Sequence, residues 1–101
     1  MLLADIARAR SGDKGAHANI AIIANNAQAY AIIEKYLTAD RVRQYFFDRP
    51  ITEVKRFAVP NLMAFNFMLY NALDGGASLS LRLDAQGKAL GQQLLLMEIT
   101  L

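Results

Sequence analysis

A chain of 101 residues with 11 Lys and Arg, 9 Asp and Glu, a single His and no Cys is sized for one domain, and it excludes disulfides, thiolate nucleophiles and cysteine-ligated metal sites together. Its net charge of +2 is spread from Arg8 to Lys88 with no dense basic run, so it carries no nucleic-acid footprint. Hydrophobic residues make up 54% of the chain, more than a domain this small can hide, so a homo-oligomer or docking on a larger subunit is expected.

At the N-terminus, Asp5, Arg8 and Arg10 interrupt the apolar start before a signal-peptide core can form, and no later window offers the roughly 18 apolar residues of a membrane helix. The expectation is a cytoplasmic protein that does not engage the membrane. Residues 2 to 10 read as a strand with Ile6, Arg8 and Arg10 on one face and Leu3, Asp5, Ala7 and Ala9 on the other. Ser11 to Asn19 read as a glycine loop. Ile20 to Ala24, apolar on both faces and β-branched, read as a covered central strand.

Asn25-Asn26 punctuates, and Tyr30, Ile33 and Leu37 give the apolar stripe of a helix of about 11 residues, widened by Ile32 and Tyr36. Thr38 is a good N-cap for a second helix, with Asp40 in its first turn and Val42, Tyr45 and Phe46 as its buried stripe. Arg41, Arg43 and Arg49 read as its solvated face and exit, and Pro50 ends it. Glu53 to Val59 read as a strand with Lys55, Phe57 and Val59 opposite Val54, Arg56 and Ala58. Residues 61 to 73 read as a helix capped by Asn61, with Leu62, Phe65, Leu69 and Leu73 on one stripe and Met63, Phe67 and Tyr70 on another. Between the stripes, Asn66 reads as a structural amide that must find hydrogen-bond partners.

Asp74-Gly75-Gly76 closes that helix. Ser78 to Leu83 alternates strictly and reads as a strand; Asp84 to Gly87 forms a turn with Gly87 left-handed, and a return limb runs to Leu101 through Leu95, Met97 and Ile99. Ala89 to Gln93 fits helix and strand equally. The whole is one domain, residues 1–101, of the α+β class: a two-layer sandwich with helices on one face of a mixed, mainly antiparallel sheet.

The richest chemistry lies between Ser11 and Asn19. Gly12 and Gly15 could let successive N–H groups form a nest for phosphate or carboxylate, with Arg8, Arg10 and Lys14 adding charge. The candidate residues for an anionic small molecule are therefore Arg8, Arg10, Ser11, Gly12, Asp13, Lys14, Gly15 and Asn19. The spacing matches neither a Walker A loop nor a dinucleotide fingerprint. The plainer alternative is a tight turn in which Asp13 pairs with Lys14 or a neighbouring arginine. His17 could act as a base oriented by Asp13, and the same two side chains are too few to hold a metal. No metal is expected, and no cofactor or catalytic residue can be assigned.

Several segments together resemble the small ferredoxin-like domain associated with acyclic terpene utilisation protein A (AtuA). They are Ala9-Arg10-Ser11-Gly12-Asp13-Lys14-Gly15 with Asn19-Ile20, Tyr30, and Leu37-Thr38-Ala39-Asp40-Arg41-Val42. Further along come Pro60, Ala64-Phe65-Asn66-Phe67, Gly75-Gly76, Ser80-Leu81-Arg82-Leu83-Asp84 and Gln86-Gly87-Lys88. The resemblance implies a ferredoxin-like variant of the α+β fold and a setting of acyl-CoA or terpenoid breakdown. In that family the domain is the C-terminal part of a larger protein or a short separate chain complementing a large one, and this chain looks like the separate version. No reaction or catalytic residue comes with the resemblance. The leading reading is a small accessory subunit, with a stand-alone small-molecule enzyme and a purely structural oligomerisation module as the alternatives; the apolar surplus calls for partners while the catalytic inventory is sparse, which favours the first or the third.

Overall fold

The computed structural model describes residues 1–72 and 90–100. Among these residues four strands, β1 (Ala7–Lys14), β2 (His17–Ala24), β3 (Glu53–Val59) and β4 (Ala64–Tyr70), form one sheet in the order β1-β2-β4-β3. Each of its pairings is antiparallel. Helices α1 (Ala27–Tyr36) and α2 (Ala39–Tyr45), with a helical segment at 90–94, pack on one face of it. This is the two-layer α+β architecture that the order of elements implied.

Period-two alternation builds the core. Ala18, Ile20, Ile22 and Ala24 of β2 point toward the helices, as do Phe65, Phe67 and Leu69 of β4. The register pairs Ile20 with Phe67 and Ile22 with Phe65, so the large side chains lie side by side under Ile33, Leu37, Val42, Leu90 and Leu94, all fully buried. Burying each such side chain is worth about 1.5–3 kcal/mol relative to exposure.

Both principal helices begin as their sequence signals require. Asn26 Oδ1 accepts from the Ala29 N–H at 2.8 Å and Thr38 Oγ1 from the Arg41 N–H at 3.2 Å, each satisfying a donor that the first helical turn leaves unpaired. The end of α1 is closed from the sheet. Arg56 donates through one guanidinium nitrogen to the Glu34 and Leu37 carbonyls at 3.0 and 2.8 Å, and lies 4.9 Å from the centre of the Phe65 ring.

Three expectations fail. The helix expected over 61–73 does not form across the described residues 61–72: Pro60–Leu62 makes one 3-10 turn, Met63 turns left-handed with φ 50°, and β4 follows. Phe65 and Leu69 fit a helical stripe, but Phe65, Phe67 and Leu69 fit a strand face equally, and ladders with β2 and β3 on both edges decide the matter. The first strand begins at Ala7 after a 3-10 turn at Leu3–Asp5, and it continues through the expected loop as far as Lys14. The expected return strand from Leu95 is a turn leaving the 90–94 helix, with one isolated bridge between Leu2 and Glu98. There the backbones of residues 1–4 and 95–99 exchange hydrogen bonds, among them Leu3 N–H to the Met97 carbonyl at 2.9 Å. The expected strand at 78–83 and the turn at Gly87 lie outside the described residues.

No helix among the described residues is long and apolar enough to cross a membrane.

Candidate functional site

The segment from Ser11 to Asn19 is a β-hairpin. Lys14 pairs with His17 across a two-residue turn, Gly15-Ala16, and Gly15 takes φ 63° while Ala16 does not take a positive φ. A positive φ at the first central residue alone is the signature of a type II′ turn, which glycine fits. The backbone nest therefore does not form as expected. From Ser11 to Lys14 the chain is extended, so consecutive N–H groups point to opposite sides, whereas a nest needs them to converge.

Strand alternation instead sorts the candidate residues onto two faces. Ser11 and Asp13 share the helix side with Ala7 and Ala9, because their partners Ile20 and Ala18 are core residues. Ser11 Oγ accepts from the Gly91 N–H at 3.2 Å. A Cβ on Gly91 would lie 3.0 Å from that oxygen and 3.1 Å from the Ala9 Cβ, so glycine allows the 90–94 helix to approach β1 closely. Arg8, Arg10 and Gly12 lie on the opposite face, and position 14 has the same parity.

Across that face the register builds rows of four. Arg8, Ile23, Ala64 and Val59 make one row, and Arg10, Ala21, Asn66 and Phe57 the next. Gly12, Asn19, Met68 and Lys55 follow. Arg8 and Arg10 are exposed, about 7 Å apart at the usual strand rise, and neither is paired with a carboxylate among the described residues. Beside them runs a groove of about 420 Å³ lined by both arginines, Ala21, Ile23, Val59, Leu62, Ala64, Phe65 and Asn66.

Asn19 Nδ2 donates to Asn66 Oδ1 at 3.3 Å across β2 and β4, so Asn66 is a structural bracket as its sequence context suggested. It also lines the groove. A Cβ on Gly12 would meet Asn19 Oδ1 at 3.0 Å, which gives Gly12 a packing role in the strand in place of a role in a loop. The sequence reading missed Asn66, Ile23 and Leu62 as site residues, because taking 61–73 as a helix separated Asn66 from Arg10.

His17 and Asp13 do not form an acid–base pair, since alternation puts them on opposite faces of the hairpin. His17 Nδ1 accepts the Asn71 N–H at 3.0 Å, and its ring stands edge-on to Tyr70 at 5.3 Å. Among the described residues no cluster of three or more His, Asp or Glu side chains could hold a metal.

No curated protein and no solved structure matches the chain. The family model of the AtuA ferredoxin-like domain matches residues 1–100, and the antiparallel sheet with helices agrees with it. The chain belongs to the AtuA ferredoxin-like domain family.

Proposed function

We propose that this chain is a small accessory module of a catabolic system acting on acyl-CoA or terpenoid-type substrates, and that it contributes anion contacts to a composite site on its sheet. One observation carries this reading: Arg8 and Arg10 stand exposed and unpaired among the described residues, on one face of β1, beside a groove that includes the Asn66 amide. Two arginines on one strand face, with Cα atoms about 7 Å apart, can bring their guanidinium groups to one phosphate or carboxylate. The proposed site comprises Arg8, Arg10, Gly12 and Asn19, with Ser11, Asp13, Lys14 and Gly15 in the hairpin that carries them.

An accessory role rather than independent catalysis is favoured by the engagement of His17 with the Asn71 backbone and its separation from Asp13. Apolar side chains left in water, Phe57 at 48% and Leu62 at 67% exposed on or beside the same face, support docking on a larger AtuA-type subunit or on a second copy. The absence of cysteine suits a reducing cytoplasm.

The test is assembly. Co-expressed with a large AtuA-type chain from the same gene neighbourhood, the protein should purify as a stoichiometric complex, and alone it should scatter light as a dimer or larger. A monomer of 11.2 kDa that forms no such complex contradicts the accessory reading.

A further inference from the structure

The groove beside the two arginines is not uniformly polar, and its shape has an identifiable cause. Ala21 and Ala64 supply short side chains where the neighbouring strand positions carry Ile23, Val59 and Phe57, so the sheet surface dips between β1 and β3. The rim beyond Ala64 is raised by the Pro60–Leu62 turn. Met63 sits in the left-handed region at φ 50°, a conformation disfavoured for a residue with a Cβ. Two backbone bonds hold it there: its N–H donates to the Pro60 carbonyl at 3.0 Å, and its carbonyl accepts from the Ala24 N–H at 2.8 Å. The turn leaves Leu62, 67% exposed, at the edge of the groove.

The groove thus has a charged wall of Arg8 and Arg10, an amide donor at Asn66, and an apolar floor and far wall. With the Asn66 oxygen engaged by Asn19, the amide nitrogen is the group that can serve a ligand. At about 420 Å³ it falls within the range of roughly 300–1,000 Å³ typical of small-molecule sites, which are mostly apolar with a few placed polar groups.

From this division we infer that the groove takes an amphipathic anion, with a carboxylate or phosphate head on Arg8, Arg10 and Asn66 and an aliphatic tail along Ile23, Ala64 and Leu62. The inference rests on the anion reading proposed above and adds to it the chemical class of the tail. A purely electrostatic site has no use for the alanine floor or the exposed leucine. A purely apolar docking patch has no use for two guanidinium groups that are unpaired among the described residues.

Calorimetric titration of the full chain with acetate, inorganic phosphate, octanoate, octyl phosphate and 1-octanol, all below micellar concentrations, tests it. Octanoate should bind at least about tenfold more tightly than acetate, since each methylene laid on an apolar wall adds affinity, and octanol should bind far more weakly than either octyl anion. Octyl phosphate against octanoate tells which head the site prefers. Leu62→Ser, at an exposed position, should erase most of the chain-length gain and leave acetate binding unchanged; Arg8→Ala/Arg10→Ala should weaken every anion. If acetate and phosphate bind but lengthening the tail adds nothing, the amphipathic inference is wrong and the anion reading survives. If octanol binds as well as octanoate, the head-group assignment is wrong. If no anion binds, both readings fall.

Discussion

At the scale of single residues, the two glycines of the hairpin do different work. Among the described residues Gly15 has no heavy atom within 4 Å of where a Cβ would stand, but its φ is 63°, so the constraint seen on it is conformational. Gly15→Val should therefore lower stability by about 1–2 kcal/mol, measured as a shift in the urea midpoint. A neutral result contradicts the turn assignment. Gly12 is in extended backbone and meets the end of a flexible side chain, Asn19 Oδ1 at 3.0 Å, so Gly12→Ala should cost less than the change at Gly15. The Asn19–Asn66 bridge separates stability from binding. Asn66→Leu removes the acceptor of Asn19 and should cost about 1 kcal/mol. Asn66→Asp keeps an acceptor, so the fold should stay within about 0.5 kcal/mol of wild type, while the added negative charge in the groove that Arg10 also lines should reduce phosphate affinity. Equal phosphate binding by wild type and Asn66→Asp would place the anion elsewhere.

Among the elements, α1 depends on the sheet for its C-terminal end. Arg56 reaches from β3 to the Glu34 and Leu37 carbonyls and covers the Phe65 ring, placing a cation where the helix dipole is negative. Arg56→Met should cost about 1.5–3 kcal/mol, the range for hydrogen bonds from a charged donor, and should speed amide exchange in the last turn of α1 more than in the β1–β2 hairpin. Uniform loss of protection across both elements would contradict a local clamp. The same scale shows what the sequence could reveal. Caps are local chemistry, and Asn26 and Thr38 could be read from their neighbours; β3 was legible because Pro50 and Pro60 fence it and its side chains alternate. β4 was not legible, because Phe65 and Leu69 are spaced for a helix while Phe65, Phe67 and Leu69 are spaced for a strand. Only the pairing partners on its two edges, far away in sequence, choose between them.

For the molecule as a whole, the layer arrangement followed from the order of strands and helices, and the site followed only in part. Arg8 and Arg10 share a face by simple period-two alternation, which was readable without coordinates. Their neighbours Asn66, Ile23 and Leu62 arrive through the β1-β2-β4 register, which no local pattern encodes. Gly12, which suggested a loop, instead lies in a strand and gives room to Asn19. These long-range placements turn an expected backbone nest into a face made of side chains.

That face is the centre of the account, and backbone amide shifts of the full chain titrated with inorganic phosphate test it most directly. Saturable movement confined to residues 8–12, 19–23 and 64–66 is expected, weakened by added salt as exposed charges are screened and lost in Arg8→Ala/Arg10→Ala. Amides that stay still across those three segments, or that move only around α2 at Arg43 and Arg49, would contradict it.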